Sequence, residues 1–488
     1  MKKPDDLFKL IKSLEKAEKG YFKKFAQTHN KGAEQQYLKL FDAIDQQLEY
    51  NEPDLLKKFK SESFVKQLSV TKSYLWDLIL KSQRAYRAQS SKFMRLNALM
   101  ENGEILFEKG LYEQALVAWD KAKKLAEAFD EKAFILDLEA WKRRYFVDLK
   151  AELWDTNVLP SFETTDKLLE QYRTTFEIQK IYYQITKYIK TYPDFRNPEH
   201  KQKYEALLQH PLIQAKNEPA DFYGKLYFNY VHSNYHNLAN NEKENLKYIN
   251  KVIQLWHENP LLINVEPIRY IAAINNYLGT LSKFGRYTEF INYVEAFKPP
   301  VFNSISQEAI YYEHWWRWKE ITFKITKNDI EFGNFIDETF PKLVAYAPYI
   351  NSVRWMLIRF AIAGHYFKTK NYNAALTIIN AKDIELRKDI QAHTRMMYLI
   401  LHFELKNTLI LESITRSVKR YLQQNENYFV TERVFIKHFN KLIYSTNSAE
   451  ADKIINELKV EVVEIFESNI NEKIAFTTMP LSHWLDLY

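Results

Sequence analysis

The chain has 488 residues, of which 46% are hydrophobic and 27% are charged, as is ordinary for a folded protein with a sizeable core. It contains no cysteine, so disulfides, thiolate metal sites and a cysteine nucleophile are excluded. Its nine glycines form neither a GxGxxG nor a GxxxxGK(S/T) motif, which excludes the usual dinucleotide-binding and phosphate-binding loops.

The net charge of +7 is concentrated in one part of the chain. Residues 1–100 include 20 Lys and Arg against 12 Asp and Glu, a net of +8, and the remainder has a net charge of −1. A basic surface can dock an acidic partner, although lysine-rich helix faces are often simply solvated. The first 20 residues are charged where a signal peptide needs an apolar core, and no apolar run approaches the roughly 18 residues of a membrane span. We therefore expect a cytoplasmic protein with no membrane partner.

Residues 1–90 are predicted to form a basic block of several helices. Apolar residues recur there at helical intervals with lysines between them, and Ser69 is the expected N-cap of the last helix. The pattern LxxLIxSLxxxEKxYFKKF, followed by YLKLFDAI, resembles the N-terminal region of a group of bacterial repeat proteins with no assigned activity. This resemblance implies helices but no function.

Residues 67–87 are also slightly similar to a helix-turn-helix DNA-binding motif. The alternative is that the leucines and isoleucines of this stretch pack a helix on its neighbours, and the missing turn glycine favours that alternative. In a DNA-binding motif, four polar residues would face a groove or its phosphates: Thr71, Lys72, Ser73 and Arg84.

The stretch from residue 99 to residue 122 has the clearest pattern in the chain. Small residues allow two antiparallel helices to approach closely, and bulky residues fill the gap between them. The spacing resembles one helix-turn-helix unit of the tetratricopeptide repeat (TPR) family, and this resemblance implies a stack of helical hairpins. The residues that carry it are Gly103, Gly110, Tyr112, Ala115, Trp119 and Ala122.

Residues 91–192 are predicted to form a first TPR-like array. It contains a helix over 131–149, a break at Pro160 and two further helices within 162–192. Four prolines then fall within residues 193–219. Because proline ends helices and restrains the residue before it, we expect this segment to be an elbow between two arrays.

Residues 220–445 are predicted to form a second TPR-like array, and residues 446–488 a C-terminal capping helix and tail. The turn of the TPR-type unit recurs loosely at Gly285 and Lys370. Neither the 175 residues from Gly110 to Gly285 nor the 85 from Gly285 to Lys370 is a multiple of the 34-residue period. We therefore expect an all-α fold: a right-handed superhelix (α-solenoid) of irregular TPR-like hairpins with an N-terminal helical block.

The sequence offers no catalytic constellation. His232 and His236 have the i, i+4 spacing that can chelate a metal ion on a helix, but no third ligand is evident. Two polar residues on an ordinary helix surface are the simpler interpretation. No GxSxG or HExxH motif occurs. We therefore expect a protein that is not an enzyme, with no catalytic residues, no cofactor and no metal.

The most unusual short stretch is YYEHWWRWKE, residues 311–320. Aromatic residues beside a cation can form a protein-binding hot spot or a stacking platform for bases. Trp315 and Trp316 are separated by about 100° around a helix and cannot share one face. At least one of them is therefore expected to enter the core.

TPR grooves that hold a peptide C-terminus have a clamp of lysine, asparagine and arginine on successive first helices. The inward positions of the unit at 99–122 are instead Asn97, Met100 and Glu104, so we expect a mixed or apolar groove. The residues predicted to contact a partner are Asn97, Glu104, Asn275, Asn276, Tyr311, Trp315, Arg317 and Trp318.

The leading hypothesis is a non-enzymatic scaffold that binds a protein or peptide on the concave face of a TPR-like solenoid. The alternative is a regulator with a nucleic-acid-binding N-terminal block and a repeat-based sensor region. Nucleic acid is the less favoured partner, because the repeat interpretation explains the same apolar residues. The sequence does not predict the oligomeric state.

Overall fold

The computed structural model is entirely helical over the residues that it describes, where short 3-10 and π turns join α-helices and no strand occurs. The predicted all-α class is confirmed. None of the described helices is both long and apolar enough to cross a membrane. The chain divides into two compact units, residues 1–173 and 174–488. The described residues are 5–29, 34–88, 91–146, 154–191, 198–214, 216, 218–379, 388–424, 430–468, 472, 481–485 and 487.

The first unit begins with five helices around one apolar core. Phe22 and Phe41 are fully buried in this core, with ring centroids 4.6 Å apart. A helical hairpin and a further helix follow. The helices are α1 (Asp6–Ser13), α2 (Lys16–His29), α3 (Glu34–Gln46), α4 (Glu52–Lys58), α5 (Leu68–Tyr86), α6 (Lys92–Glu108), α7 (Tyr112–Ala128), α8 (Lys132–Phe146) and α9 (Leu159–Thr191), whose range includes the boundary between the units.

The start of α5 differs from the sequence prediction. A single 3-10 turn, Ser63–Gln67, leads directly into α5, and Leu68 already has helical dihedral angles (φ −53°, ψ −37°). Ser69 therefore lies inside the first turn of α5, and the prediction that it caps the helix is wrong. The N-cap residue is Gln67, whose side chain does not cap the helix.

The prediction of two helices within residues 162–192 is also wrong. The structure has one continuous helix there, α9, which spans 33 residues. Pro160 is its second residue, a position where the missing backbone N–H costs nothing because it has no partner within the helix. No proline or glycine follows until the helix ends at Thr191, so nothing in the sequence interrupts it.

The second unit continues as a series of helices joined mostly by short turns. Apolar side chains of neighbouring helices form several buried clusters. The helices after α9 are α10 (Pro198–Leu208), α11 (Phe222–Leu238), α12 (Glu242–His257), α13 (Pro260–Val265), α14 (Pro267–Lys283), α15 (Tyr287–Ala296), α16 (Ile305–Thr326), α17 (Asp329–Tyr346), α18 (Ser352–Lys368), α19 (Tyr372–Ile379), α20 (Lys388–Glu404), α21 (Thr408–Gln424), α22 (Val430–Leu442), α23 (Ser448–Ser468) and α24 (Leu481–Leu485).

The proline-rich segment at residues 193–219 contains helical structure. Pro198 is the first residue of α10, and Pro211 begins a single 3-10 turn. Proline is accepted at the first position of a helix, where its fixed φ is already helical. Residues 193–197, 215 and 217 lie outside the described residues.

Consecutive helices of the second unit pack as hairpins. The pairs are α11 with α12, α14 with α15, α16 with α17, α18 with α19, α20 with α21, and α22 with α23. The first helices also pack on one another in sequence, α14 on α16, α16 on α18, and α18 on α20. The first helices α16 and α18 therefore each contact the second helix of their own hairpin and two other first helices.

Six hairpin turns share one backbone conformation. A single residue with φ between +54° and +75° ends the first helix, in the left-handed region. The next residue donates its N–H to the carbonyl five positions earlier, as from Asn328 to Phe323 at 3.1 Å. This is the Schellman arrangement, which satisfies carbonyls at a helix end. The left-handed residues of these hairpins are Gly110, Asn240, Gly285, Lys327, Lys370 and Lys406, and Asp130 (φ +53°) ends α7 in the same way before α8.

The left-handed residues of the second unit give the spacing of its hairpins. From Asn240 to Lys406 they are separated by 45, 42, 43 and 36 residues. The interval of 85 residues between Gly285 and Lys370 therefore contains two hairpins and not one. The helices of these hairpins range from 8 to 22 residues, and α13 lies within the first interval, which explains why the 34-residue period was absent from the sequence.

The closest approach of α6 and α7 is at Gly103. A Cβ atom on this residue would lie 2.1 Å from Nε1 of Trp119, whose side chain is fully buried. That nitrogen also donates a hydrogen bond to the carbonyl of Met100 at 3.2 Å. The indole is therefore fixed over the glycine and cannot withdraw without losing this bond.

We predict that Gly103→Ala destabilises the first unit by about 1–3 kcal/mol, because overpacking forces the indole of Trp119 or the α6 backbone to move. Urea unfolding monitored by circular dichroism measures the change. Gly20→Ala is the matched control, since a Cβ atom there meets nothing within 4 Å. It should raise stability by roughly 0.5–1 kcal/mol through helix propensity. Equal stability of the two variants would contradict the close approach.

Candidate partner-binding surface

The aromatic segment at residues 311–320 lies in the middle of α16. Ser304 begins this helix by accepting the N–H of Gln307 on its hydroxyl at 3.3 Å, and Lys327 ends it in the left-handed conformation. The helix packs on α14, α17 and α18. Successive side chains are separated by about 100° and therefore reach different neighbouring helices.

Trp316 and Trp318 are both buried, and they contact different helices. The indole N–H of Trp316 donates to the hydroxyl of Thr339 on α17 at 2.9 Å. The indole N–H of Trp318 donates to Oδ1 of Asn275 on α14 at 3.1 Å. A buried indole needs such a partner, so each tryptophan fixes one neighbouring helix. Trp318 and Asn275, two of the predicted partner contacts, satisfy each other within the protein.

Tyr311 and Trp315 are half-buried at the surface of the same helix. The ring of Tyr311 stacks on Phe302 with centroids 5.1 Å apart. The ring of Trp315 lies 5.5 Å from that of Phe335 on α17. Each ring is supported by the protein on one side and keeps part of its area exposed, so both are available to a partner.

A second pattern in α16 is electrostatic and was not predicted from the sequence. Four residues of alternating charge follow one another at intervals of four, three and four, a spacing that places them on one face of the helix. This alternation is readable from the sequence. With His314 and an arginine of α18, these residues form what we call the α16 charge cluster: Glu313, His314, Arg317, Glu320, Lys324 and Arg354.

The cluster has buried carboxylates beneath partly exposed cations. Glu320 is fully buried, with Arg317 Nη1 at 2.5 Å from its Oε2 and Lys324 Nζ at 2.6 Å from its Oε1. Glu313 is also buried, and its Oε2 lies 3.0 Å from Arg354 Nη1 on α18. The side chains of Arg317 and Arg354 are 24% and 44% exposed. Each arginine is therefore anchored from inside and reaches solvent.

Burial and charge set the protonation of the cluster. Burial alone raises the pKa of Glu320, but the charges of Arg317 and Lys324 outweigh it and hold that pKa below its ordinary value. Burial raises the pKa of Glu313, and Arg354 offsets only part of the effect.

His314 is held in its neutral form. Burial, with repulsion from Arg354 and Arg317, lowers its pKa to about 3. Its Nε2 lies 2.9 Å from Arg354 Nη1. A guanidinium nitrogen can only donate, so the imidazole nitrogen accepts this hydrogen bond.

A third arginine is held in a similar way on α14. Arg269 Nη1 lies 3.0 Å from Glu266 Oε2, and Nη2 donates to the hydroxyl of Tyr227 on α11 at 2.9 Å. The guanidinium also lies 4.9 Å from the ring centroid of Tyr223, within range of a cation–π interaction. The first helices α11, α14, α16 and α18 thus present three preoriented arginines with aromatic neighbours.

The structure gathers six of the eight predicted contacts on α14 and α16 and leaves two in the first unit. Asn276 is exposed on α14. Asn97 is exposed on α6, and Glu104, two turns later on the same helix, accepts the hydroxyl of Tyr145 at 2.9 Å. The arginines of α14 and α18 were not predicted from the sequence.

Two of the four residues that would face DNA in a helix-turn-helix motif are buried within the N-terminal block. Thr71 and Lys72 are buried, and Lys72 Nζ lies 2.7 Å from Glu52 Oε2 on α4. The expectation that these two residues face a DNA groove is therefore wrong, since they pack α5 on its neighbours. Ser73 and Arg84 are exposed.

The histidine pair of α11 belongs to an aromatic stack. The rings of His232 and His236 lie 4.4 and 5.8 Å from that of Tyr248 on α12, with interplanar angles of 11° and 5°. Nε2 of His232 is hydrogen-bonded to the carbonyl of Ile213 at 2.9 Å. His232 is buried, not on the helix surface as predicted. Within the described part of the chain, no group of three potential ligands could hold a metal ion.

The candidate surface therefore consists of anchored arginines on successive first helices, with the rings of Tyr223 and Tyr227 beside Arg269, an arrangement suited to binding a ligand with carboxylates and apolar side chains. Trp315 is about 200° from Arg317 around α16 and lies on the other side of that helix. It contains no obvious nucleophile beside a base. No family model, curated protein or solved structure matches the chain.

We predict that His314→Gln reduces the loss of stability in acid. His314 has a folded pKa of about 3 against about 6.5 when unfolded. The unfolded chain therefore binds more protons between these values, and stability falls as the pH falls through this window. The wild-type contribution is roughly 3 kcal/mol between pH 7 and pH 4. Glutamine keeps a hydrogen-bond acceptor for Arg354 but has no proton to gain.

Urea unfolding at pH 7, 5.5 and 4 measures this effect. The variant should lose less stability than the wild type at each acidic step, while their difference at pH 7 reflects only the altered packing. His232, whose pKa burial lowers to about 4, still makes both proteins acid-sensitive. Parallel pH profiles for the two proteins would contradict the assignment of a neutral, buried His314.

Proposed function

We propose that the protein is a non-enzymatic interaction scaffold that binds a protein or peptide along the first helices of its second unit. In this proposal the hairpins continue as a right-handed, TPR-like superhelix whose concave face is lined by α11, α14, α16 and α18. The recurring turn and the contacts between successive first helices support such an arrangement, since stacked hairpins of this kind form extended binding surfaces.

The anchored arginines are the observation that carries this proposal. An arginine held by a buried carboxylate loses little conformational freedom on binding, so more of the interaction energy appears as affinity. Arg317 and Arg354 both have this support and both retain exposed side-chain surface. The rings of Tyr223 and Tyr227 lie beside the third arginine, Arg269. We therefore propose a peptide with acidic and apolar side chains as the ligand.

The test starts from a random peptide library selected on the full-length protein. We predict that enriched peptides contain Asp or Glu and bind the double variant Arg317→Lys, Arg354→Lys at least about tenfold more weakly, as measured by fluorescence anisotropy. Lysine preserves the ion pairs with Glu320 and Glu313 but lacks the planar fork that binds a carboxylate through two hydrogen bonds.

The matched control is Arg416→Lys. Arg416 is an exposed arginine of α21 whose Nη2 lies 3.8 Å from Glu412, and it is outside the candidate surface. This variant should bind the selected peptides as the wild type does. Selected peptides without acidic residues, or equal weakening by both sets of substitutions, would count against the proposed surface. Thermal melting of each variant shows whether a loss of binding follows from unfolding.

A further inference from the structure

The C-terminal helix α24 is bound in a groove of the second unit. Leu481, Trp484 and Leu485 are spaced i, i+3 and i+4 and are 0%, 0% and 2% exposed. The ring of Trp484 lies 6.2–6.5 Å from the centroids of three phenylalanines, and its indole N–H donates to Glu404 Oε1 at 2.7 Å. We call the residues around this indole the C-terminal groove: Phe403, Glu404, Phe435 and Phe439.

The two helices that line the groove, α20 and α22, are connected by packing contacts that do not involve α24. Phe403 and Glu404 belong to α20, and Phe435 and Phe439 belong to α22. These two helices are joined through α21, which packs on both, and α22 also packs on α23. The contacts between the wall helices therefore do not depend on the five residues of α24.

The groove holds α24 as an apolar groove holds a short amphipathic helix. Three apolar anchors within one turn, at i, i+3 and i+4, are the recognition pattern of such ligands. The carboxylate of Glu404 adds a chemical requirement, because a phenylalanine or leucine at the same place has no N–H to donate. The groove therefore distinguishes tryptophan from other apolar side chains.

The attachment of α24 to the rest of the unit is local. The preceding described residue is Glu472, whose Oε2 accepts the hydroxyl of Thr431 at the start of α22 at 3.0 Å. Eight residues separate Glu472 from Leu481. Because α24 belongs to the same chain as the groove, a free competitor must exceed its effective concentration there.

We propose that the C-terminal groove is a peptide-binding site whose resident ligand is the chain's own C-terminus. Its external ligand is a partner segment that forms a short amphipathic helix with leucine, tryptophan and leucine at i, i+3 and i+4. Such a segment competes with α24 for the same anchors. This site is separate from the surface on α14, α16 and α18. The result of a binding test at the C-terminal groove therefore neither supports nor weakens the function proposed for that surface.

The test uses the full chain and a fluorescein-labelled peptide of residues 479–488. In the variant Trp484→Ala the resident helix loses its main anchor, so the wild-type peptide should bind saturably. The wild-type protein should bind the same peptide at least about tenfold more weakly, because α24 occupies the groove. A peptide in which the tryptophan is replaced by phenylalanine should bind the variant about tenfold more weakly, since it cannot donate to Glu404.

Trp154→Ala is the matched control. Trp154 lies in the first unit and is 38% exposed, so its loss tests for nonspecific peptide binding by a tryptophan variant. This control should bind the peptide no better than the wild type. Absence of saturable binding to a folded Trp484→Ala variant, or equal binding to the Trp154→Ala variant, would overturn the proposal.

Hydrogen exchange in the wild-type protein provides a second measurement if Trp484→Ala does not fold. The indole N–H of Trp484 should exchange at least about tenfold faster than that of Trp316, which is also buried and hydrogen-bonded, because a separable ligand opens without global unfolding. Equal protection of the two indoles would make α24 an integral part of the core and would overturn the proposal.

Discussion

The arrangement of the second unit depends on one backbone constraint, the left-handed residue at the turn of five of its six hairpins. This residue ends the first helix. The residue after it donates its backbone N–H to a carbonyl in the last turn of that helix, as Asn328 does to Phe323. The second helix then begins within a few residues and packs on the first. A non-glycine residue in this conformation costs about 1–2 kcal/mol, which the hydrogen bonds of the turn and the packing of the two helices offset. The contacts between first helices follow from repeating this turn.

These turns also show why the fold was only partly predictable. Helix positions followed from apolar periodicity, and the predicted helix over 131–149 corresponds to α8, Lys132–Phe146. The spacing of the turn identified Gly110, Gly285 and Lys370. Asn240, Lys327 and Lys406 were missed because lysine and asparagine, unlike glycine, do not by themselves indicate a left-handed turn residue. The signal was present as a repeated Lys-Asn pair at 327–328, 370–371 and 406–407, in which the asparagine follows the left-handed residue.

The candidate surface was predictable where it lies within one helix. The aromatic segment of α16 was recognised in the sequence by its high content of tryptophan and tyrosine. Because successive helix residues are about 100° apart, at least one of the adjacent tryptophans was expected in the core, and Trp316 is buried there. The pairing of Glu313 with Arg354 was beyond this reasoning. It requires that α16 pack on α18 across an intervening helix, and the intervals of 175 and 85 residues between the recognised turns gave no period by which to align the two helices. Contacts between repeats need the correct period, whereas contacts within a helix do not.

The buried tryptophans illustrate how the same chemistry serves packing and recognition. In Trp119, Trp316 and Trp318 the indole N–H donates to a neutral oxygen of a neighbouring helix or turn, so each ring is both an apolar filler and a fixed point of orientation. Trp484 donates instead to a carboxylate, that of Glu404. A hydrogen bond to a charged group is the stronger kind, and here it adds to the burial of Leu481 and Leu485 on the same five-residue helix. It supplements the apolar contacts that hold so short a segment, and it makes tryptophan the feature that any competing segment must reproduce.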